Sequence, residues 1–342
     1  LLADGSEDSL GMIVVTEELT KGSLGGAGSL ITRPEIMARA LLDGGTEEQK
    51  KAWLPKIAEG KPLCAIAITE PDFGSDVASL KMKASPVENG WLLNGAKAWS
   101  TFAGKSEVLL TLARTDPDMG AGHKGLSLFI VEKPEFDEEE FVVEQTGGGK
   151  LSGSAIPTLG YRGMHSFNLF FDDFFVPQEN LIGEGQGLGK GFYFTMRGFM
   201  GGRIQTAARA CGLMSASLDS ALSYAKDRLV FGQPVASYQL TLIKFAKMAM
   251  YIAASRQFTY KVGRLMDKGG GQMEASLVKL LACRLAEWVS REAMQIHGGM
   301  GYAEETTASR LWVDSRVLSI FEGTEETLAL KERYGAGLPL LQ

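Results

Sequence analysis

The sequence predicts an α+β chain in three consecutive blocks: helical, then β-rich, then helical again. From Ser9 to Glu59 apolar residues recur at three-to-four spacing, the period of one helix face. From about Lys61 to Pro177 the pattern changes to short β-rich runs separated by Gly, Pro and Asp turns. From Gly187 onward long helical stretches return. Strands and helices do not alternate one by one, so a doubly wound parallel sheet is not expected. The blocks set three domains: a partial N-terminal helical domain over 1–60, a central β-barrel domain over 61–182 and a C-terminal four-helix bundle over 183–342.

Each element has a local reason. Thr46-Glu47-Glu48-Gln49, after Gly44-Gly45, reads as a capping box that opens a helix toward Ile57. The predicted strands are 64–69, 91–94, 108–113, 126–132 and 167–171, and such short strands separated by turns suit a compact β-barrel or sandwich. The predicted long helices are 192–228, 238–267, 273–296 and 308–321, four of a length that packs as a bundle. They break at Phe231-Gly232-Gln233-Pro234, Gly269-Gly270-Gly271 and Gly298-Gly299-Met300-Gly301.

Composition removes several function classes. The 342 residues carry 35 Lys plus Arg against 41 Asp plus Glu, a formal charge of −6, with no dense basic run. Phosphate-backbone binding needs a basic face, so a nucleic-acid protein is not expected. No stretch reaches the ~18 uninterrupted apolar residues of a membrane span, and no leader is evident. Cys64, Cys211 and Cys283 lie far apart in apolar surroundings, which suits reduced buried thiols in a cytoplasmic protein. The 42 glycines exceed the usual ~7% of a chain and cluster between apolar blocks, where they mark turns and close backbone approaches. The chain begins Leu1-Leu2 without Met, so a segment upstream is expected.

Some motifs fail on inspection. The run from Gly183 to Gly191 lacks the Ser or Thr that must follow a phosphate-loop lysine, since Lys190 is followed by Gly191. It reads as a turn into the first bundle helix. His123, His165 and His297 lack paired-ligand spacing, so no metal site is expected. No nucleophile-elbow pattern occurs, and Asp137-Glu138-Glu139-Glu140 reads as a solvated loop.

Three clusters remain. In AIAITEPDFGSDVAS (65–79) a β-run ends at Thr69-Glu70-Pro71 and turns through Gly74-Ser75-Asp76, gathering amides and hydroxyls at a strand end. In Leu93-Asn94-Gly95-Ala96-Lys97-Ala98-Trp99-Ser100-Thr101, the period of two puts Trp99 and Thr101 on one face, a flat aromatic beside a hydroxyl. In QIHGGMGY (295–302) and the later Ile320-Phe321-Glu322-Gly323, a carboxylate between apolar residues and a glycine is poised to be a desolvated base. Taken singly, each also has an ordinary reading as a turn, a buried Trp or a helix cap.

Together and in this order, these stretches resemble the acyl-CoA dehydrogenase flavoprotein family, from the N-terminal helices to Leu330. ITEPDFGSD, LNGAKAW, Gly160-Tyr161-Arg162-Gly163, Asp227-Arg228 with Phe231-Gly232, QIHGGMGY and IFEGTEE carry the resemblance. The family fold, helical domain, β-barrel and four-helix bundle, matches the block order. The resemblance implies FAD as cofactor. Trp99 would pack beside the flavin ring and Thr101 would bond near its N5. Ile66, Ile68 and Thr69 would line the ring, with Gly74 and Ser75 approaching flavin phosphate or the substrate arm. Arg228, Phe231 and Gln239 would hold the pyrophosphate and adenine side. Gln295, Gly298 and Gly299 would reach the same FAD from a neighbouring subunit, making a homodimer or homotetramer. Thr324 and Glu326 would touch the adenylate, although the family often has Gln where Glu326 stands.

Glu322 matches the family's catalytic base, which takes the α-proton of an acyl-CoA thioester while the β-hydrogen leaves as hydride to flavin N5. Some members carry the base one residue before Arg203; Gly202 stands there and cannot serve. Arg203 would be a partner near the active-site loop, and Gly323 would border the substrate. The segment 150–175 is most similar to that of members acting on methylsuccinyl-CoA to give mesaconyl-CoA, a short branched dicarboxylyl substrate whose far carboxylate Arg162 or His165 would meet. Electron-transfer flavoprotein would take up the electrons. A flavin oxidase or monooxygenase on the same scaffold, and a non-catalytic relative acting as a binding protein, are the alternatives. Against the family pattern the chain lacks the first helices of the N-terminal domain and ends in a short tail, Pro339-Leu340-Leu341-Gln342.

Overall fold

The structure, a computed structural model, describes residues 8–28 and 33–334. The expectations resting on Leu1-Leu2 and on the Pro339–Gln342 tail lie outside the described residues. The described residues fall into two compact units: a sheet unit of 33–158 and 162–201, and a helical unit of 8–28, 159–161 and 202–334. Among them no helix is long and apolar enough to cross a membrane.

The sheet unit begins with α3 (Arg33–Gly44) and α4 (Glu47–Ala58). The capping box forms as the sequence predicts: Thr46 Oγ1 accepts from Gln49 N at 3.2 Å, and Gln49 Oε1 accepts from Thr46 N at 3.0 Å. Buried Gln49 does more than cap. Its amide donates to Glu179 O and Leu181 O, both at 2.7 Å, and its oxygen accepts from Gly183 N at 2.9 Å, tying α4 to the chain leaving the last strand.

Eight strands follow: β1 (Cys64–Ala67), β2 (Lys83–Val87), β3 (Gly90–Thr101), β4 (Val108–Arg114), β5 (Leu126–Glu132), β6 (Glu140–Glu144), β7 (Lys150–Ile156) and β8 (Ser166–Pro177). They form one mixed sheet in the order β1-β4-β2-β3-β8-β7-β6, with β5 on β4. β1 and β4 run parallel, while β3–β8, β4–β5 and β6–β7–β8 are antiparallel.

Alternation sorts the two faces. On β4 and β5, Leu110, Leu112, Leu128 and Ile130 join Ile36, Met37, Leu41 and Trp53 of the helices, whereas Leu109, Phe129 and Val131 join Trp91, Leu169 and Phe171 on the opposite face. Both faces are covered, so β4 is buried along its whole length.

The expected barrel is not closed: among the described strands no ladder joins β6 to the far end of the sheet. Closure needs a ladder between the end strands. Here the β6 end is sealed by side chains instead, with Phe141 stacked on Phe136 at 4.9 Å and lying 5.8 Å from Phe167.

The predicted turn before the first long helix holds one short helical turn, α5 (Glu184–Gly187), between Gly183 and Gly189, both at positive φ. The long helices follow: α6 (Gly191–Asp227), α7 (Gln239–Met266), α8 (Gln272–His297) and α9 (Thr307–Leu318), close to their predicted spans. A further helix, α10 (Glu325–Tyr334), is not anticipated from the sequence.

At the start of the helical unit, α1 (Ser9–Gly22) is capped by Asp8, whose carboxylate accepts from Gly11 N at 2.8 Å, and α2 (Leu24–Ala27) follows. Buried Glu17 joins α1 to α7, accepting from Arg256 Nε at 2.6 Å and Tyr260 Oη at 3.1 Å.

Cys64, Cys211 and Cys283 are free and buried. Desolvation pushes each thiol up to about 12. A thiol that stays protonated and enclosed is a poor nucleophile. Native protein is therefore expected to react with almost no aromatic disulfide reagent, whereas urea-unfolded protein reacts at all three positions. A rapid native reaction at any one of them would overturn that burial.

Candidate active site

In the sheet unit the predicted residues meet where β1 leaves the sheet beside β3. Thr69 O accepts from Ala98 N at 2.8 Å, which places Thr69 next to the Trp99 strand. Ile68 is buried, and Ile66 and Thr69 are half-buried. The following residue, Glu70, is buried and accepts from Lys81 N and Met82 N, both at 2.8 Å, and from Lys97 Nζ at 3.0 Å. Lys97 is fully enclosed and also donates to Ile68 O at 2.9 Å. Burial holds the Lys97 ammonium down at about 8, partly opposed by the Glu70 carboxylate.

The β3–β8 register slips between Leu93 and Gly95 and again between Lys97 and Ser100. Trp99 lies in the second irregularity at φ +58. A left-handed non-glycine residue at a bulge is uncommon and re-aims its side chain. Trp99 is 58% exposed beside enclosed Ser100. The period of two places Trp99 and Thr101 on one face, but the bulge and the left-handed φ at Trp99 have no period-two signature.

Thr101 is fixed from two directions. Its hydroxyl is 2.9 Å from Ser166 Oγ, and its carbonyl accepts from Arg33 Nε at 3.2 Å. Phe102 N donates to His165 O at 2.7 Å. The side chains of His165 and Arg162 are exposed, without a hydrogen-bond or ion-pair partner among the described residues. Gly74 and Ser75 sit in an exposed turn.

In the helical unit the site centres on the loop before α10. Glu322 at φ +55 and Gly323 at φ +98 are consecutive left-handed residues. For a glutamate that conformation costs roughly 1–3 kcal/mol and persists only where the surroundings impose it. On one side, Phe321 is held edge-on to Tyr161 at 5.8 Å and under the Arg209 guanidinium at 4.7 Å. Arg209 in turn donates to Tyr161 Oη at 3.2 Å and Thr206 Oγ1 at 2.8 Å, and Tyr161 N donates to Asp314 Oδ1 at 2.6 Å. On the other side, buried Lys279 donates to Gly323 O at 2.7 Å.

Glu322 Oε2 is buried with no hydrogen-bond partner, and so is Nε of Arg203. Arg203 is buried; desolvation lowers its pKa and the Glu322 carboxylate opposes the shift. Two buried, opposite and unsatisfied groups, one of them next to a flexible glycine, are what a site for a polar ligand leaves open.

The remaining predicted residues are exposed, apart from Thr324. Arg228 leads into a hairpin of β9 (Leu229–Val230) and β10 (Gln233–Pro234), whose tip is Phe231 at φ +50 and Gly232 at φ +81. Those two positive angles are the signature of a two-residue type I′ turn, and they leave Phe231 95% exposed. Gln239 opens α7, and Gln295, Gly298 and Gly299 lie exposed at the end of α8. His297 of that motif turns inward instead: it stacks on Tyr224 at 4.5 Å, and its Nδ1 is 2.7 Å from Ala293 O. Thr324 is half-buried and Glu326 exposed.

Sequence reading missed Glu70, Lys97, Arg209, Tyr161 and Lys279. The available signal was a lone charge in an apolar run: Lys97 between Ala96 and Ala98, Arg209 between Ala208 and Ala210, and Lys279 between Val278 and Leu280. Two grooves in the sheet unit hold none of the predicted residues: one of about 540 Å³ beside Trp53, Lys56 and Lys133, and one of about 340 Å³ beside Pro71, Phe141 and Phe170.

Comparison with known proteins gives concordant results. Models of the N-terminal, middle and C-terminal domains of acyl-CoA dehydrogenase match residues 4–61, 65–174 and 189–331. The chain is 42% identical over 320 residues to a (2S)-methylsuccinyl-CoA dehydrogenase of Cereibacter sphaeroides, covering 93% of this chain but 57% of that protein. It therefore spans little more than half the length of that relative. It is 33% identical over 320 residues to the mitochondrial short-chain specific acyl-CoA dehydrogenase of Homo sapiens, covering 93% and 74%. Butyryl-CoA dehydrogenase from Megasphaera elsdenii superposes with a TM-score of 0.88 at 33% identity, over 98% of this chain and 84% of that one.

Proposed function

Because the chain belongs to the acyl-CoA dehydrogenase family, a flavin-dependent family, we propose that it is an FAD-dependent enzyme that removes hydrogen from Cα and Cβ of an acyl-CoA thioester. We assign it a short branched dicarboxylyl substrate of the methylsuccinyl-CoA kind, giving mesaconyl-CoA. The observation that carries the reading is Glu322: a carboxylate on a strained loop, one oxygen buried and unbonded, beside a buried arginine.

The residues suit a flavin. Gly74 and Gly299 have no positive φ, and a Cβ would approach no atom closer than 4.0 Å at Gly74 and none within 4 Å at Gly299. Among the described residues nothing asks for glycine at either place, which is what close approach by a ligand explains. In the sheet unit Trp99, Thr101 and Thr69 would hold the ring, with Gly74 and Ser75 at its polar arm. In the helical unit Arg228, Phe231, Gln239, Thr324 and Glu326 would hold the nucleotide side, and Gln295, Gly298 and Gly299 would serve the FAD of a second copy.

Bound FAD supplies the hydride acceptor. The protein's part is the proton: Glu322 accepts it from Cα, and its own backbone N–H, turned by the positive φ, is available to the thioester oxygen as charge develops there. One such donor is worth roughly 10²–10³ in rate. The buried Arg203 guanidinium lies near enough to interact with the charge of the carboxylate, although its Nε and Glu322 Oε2 have no hydrogen-bond partner among the described residues. The exposed Arg162 guanidinium and His165 imidazole are the hydrogen-bond donors available to a second substrate carboxylate. Electron-transfer flavoprotein is the proposed acceptor, and three free thiols suit a cytoplasmic setting.

Anaerobic flavin bleaching across straight, branched and dicarboxylyl CoA esters tests the assignment. Methylsuccinyl-CoA is expected to give the highest kcat/KM. Equal or faster bleaching by butyryl-CoA would replace the dicarboxylyl reading with a short-chain one.

A further inference from the structure

We propose that Lys279 is a positioning residue for the base, holding the Glu322-Gly323 loop in its left-handed conformation through the Gly323 carbonyl; the proposal rests on the reading of Glu322 as that base. Lys279 lies on α8 among Leu277, Val278, Leu280 and Leu281, and its side chain is fully enclosed. Among the described residues its one hydrogen bond is to Gly323 O, at 2.7 Å, and no carboxylate is within ion-pair distance. A buried ammonium with a single neutral acceptor is a poor way to stabilise a fold, because its desolvation is not repaid. Burial accordingly lowers its pKa, only partly opposed by Cys283, Glu322 and Glu325.

The acceptor identifies the purpose. Gly323 follows Glu322 directly, at φ +98. Glycine at that position is the least restrained residue available, so the loop needs an anchor on each side. Phe321 is the anchor on the near side, clamped by Tyr161 and Arg209. Lys279 is the anchor on the far side. Without it the Gly323 peptide is free to rotate, and the Glu322 carboxylate loses its aim. A misplacement of about 1 Å in a reacting group costs on the order of 10²-fold in rate.

The test uses the full FAD-loaded chain and two readouts. Solvent deuterium entering the α-carbon of acetyl-CoA, which has no β-hydrogen to lose, reads proton removal alone. Anaerobic bleaching by butyryl-CoA reads the whole half-reaction. For Lys279→Met, both rates per bound flavin are expected to fall ~10²-fold, while the half-saturating butyryl-CoA concentration is unchanged and the melting temperature holds or rises. Wild-type rates per bound flavin would overturn the proposal, as would a variant whose only defect is lost stability. Should Lys279→Met give no folded protein, Lys279→Gln decides by the same measure: its amide stops one bond short of the carbonyl, and a wild-type rate again overturns the anchor. Glu322→Gln is run alongside. If it abolishes exchange while Lys279→Met does not, only the anchor fails; if it exchanges normally, the base assignment fails and the anchor with it.

Discussion

Glu322→Gln is expected to lower anaerobic flavin bleaching by at least the ~10²–10⁴-fold that a positioned general base contributes, with acyl-CoA binding retained. The amide has the size of the carboxylate but no basic lone pair on its nitrogen and far weaker basicity at its oxygen. Isosteric replacement also keeps the loop, since the left-handed φ of +55 is imposed by its neighbours rather than by the charge. The variant does leave Arg203 buried without its anion. Some loss of stability is therefore expected as well, which is why the rate is measured per bound flavin. The α-proton of a thioester is weakly acidic, so no neighbouring group takes over: Gly202 has no side chain, the Arg203 guanidinium has no basic lone pair to offer, and Lys279 Nζ is engaged with Gly323 O. Bleaching near the wild-type rate would place the base elsewhere in the chain.

What could be read from the sequence follows the strength of each local signal. α6, α7 and α8 are legible because apolar periodicity runs over about seven or more turns and glycine clusters punctuate it. α4 is legible from the chemistry of its first turn, Thr46 and Gln49. β6 and β7 are not, because acidic residues flank one, glycine and serine interrupt the other, and both are half-exposed. Their order comes from pairing with β8, a long-range term that no window of sequence contains. The open sheet has the same cause: runs of strand predict a β domain, but whether its ends meet depends on tertiary pairing.

The candidate site divides in a similar way. Residues that would face a ligand stand in recognisable stretches, so Trp99, Thr101 and Glu322 can be named at once. The groups that hold them do not. The bulge at Trp99, the left-handed pair at 322–323 and the buried cations Lys97, Arg209 and Lys279 appear only when backbone angles and burial are known. A lysine in an apolar run signals that something buried must meet it, without saying what.

Lys97→Met is expected to be the most destabilising single change in the sheet unit. It leaves the Glu70 carboxylate buried with two backbone donors and no cation, a loss of the kind that costs ~3–5 kcal/mol. The effect reaches the candidate site because Lys97, two residues before Trp99, also bonds Ile68 O. FAD is therefore expected to dissociate more readily.

Adding Glu70→Gln removes the orphaned charge, so the double variant is expected to recover much of the loss in urea unfolding. A double variant no more stable than Lys97→Met would mean that the pair is not the source. pH gives an independent check. The Lys97 ammonium is held at about 8 in the folded chain and titrates near ~10.4 when unfolded. Between those values the unfolded state binds more protons, so this group's contribution to stability rises with pH from 8 to ~10.4. The penalty of the buried charge is complete below 8 and relieved above that window. The stability difference between wild type and Lys97→Met is therefore expected to widen as pH is raised from 8 to 10; a constant or narrowing difference would rule out a desolvated ammonium at this position.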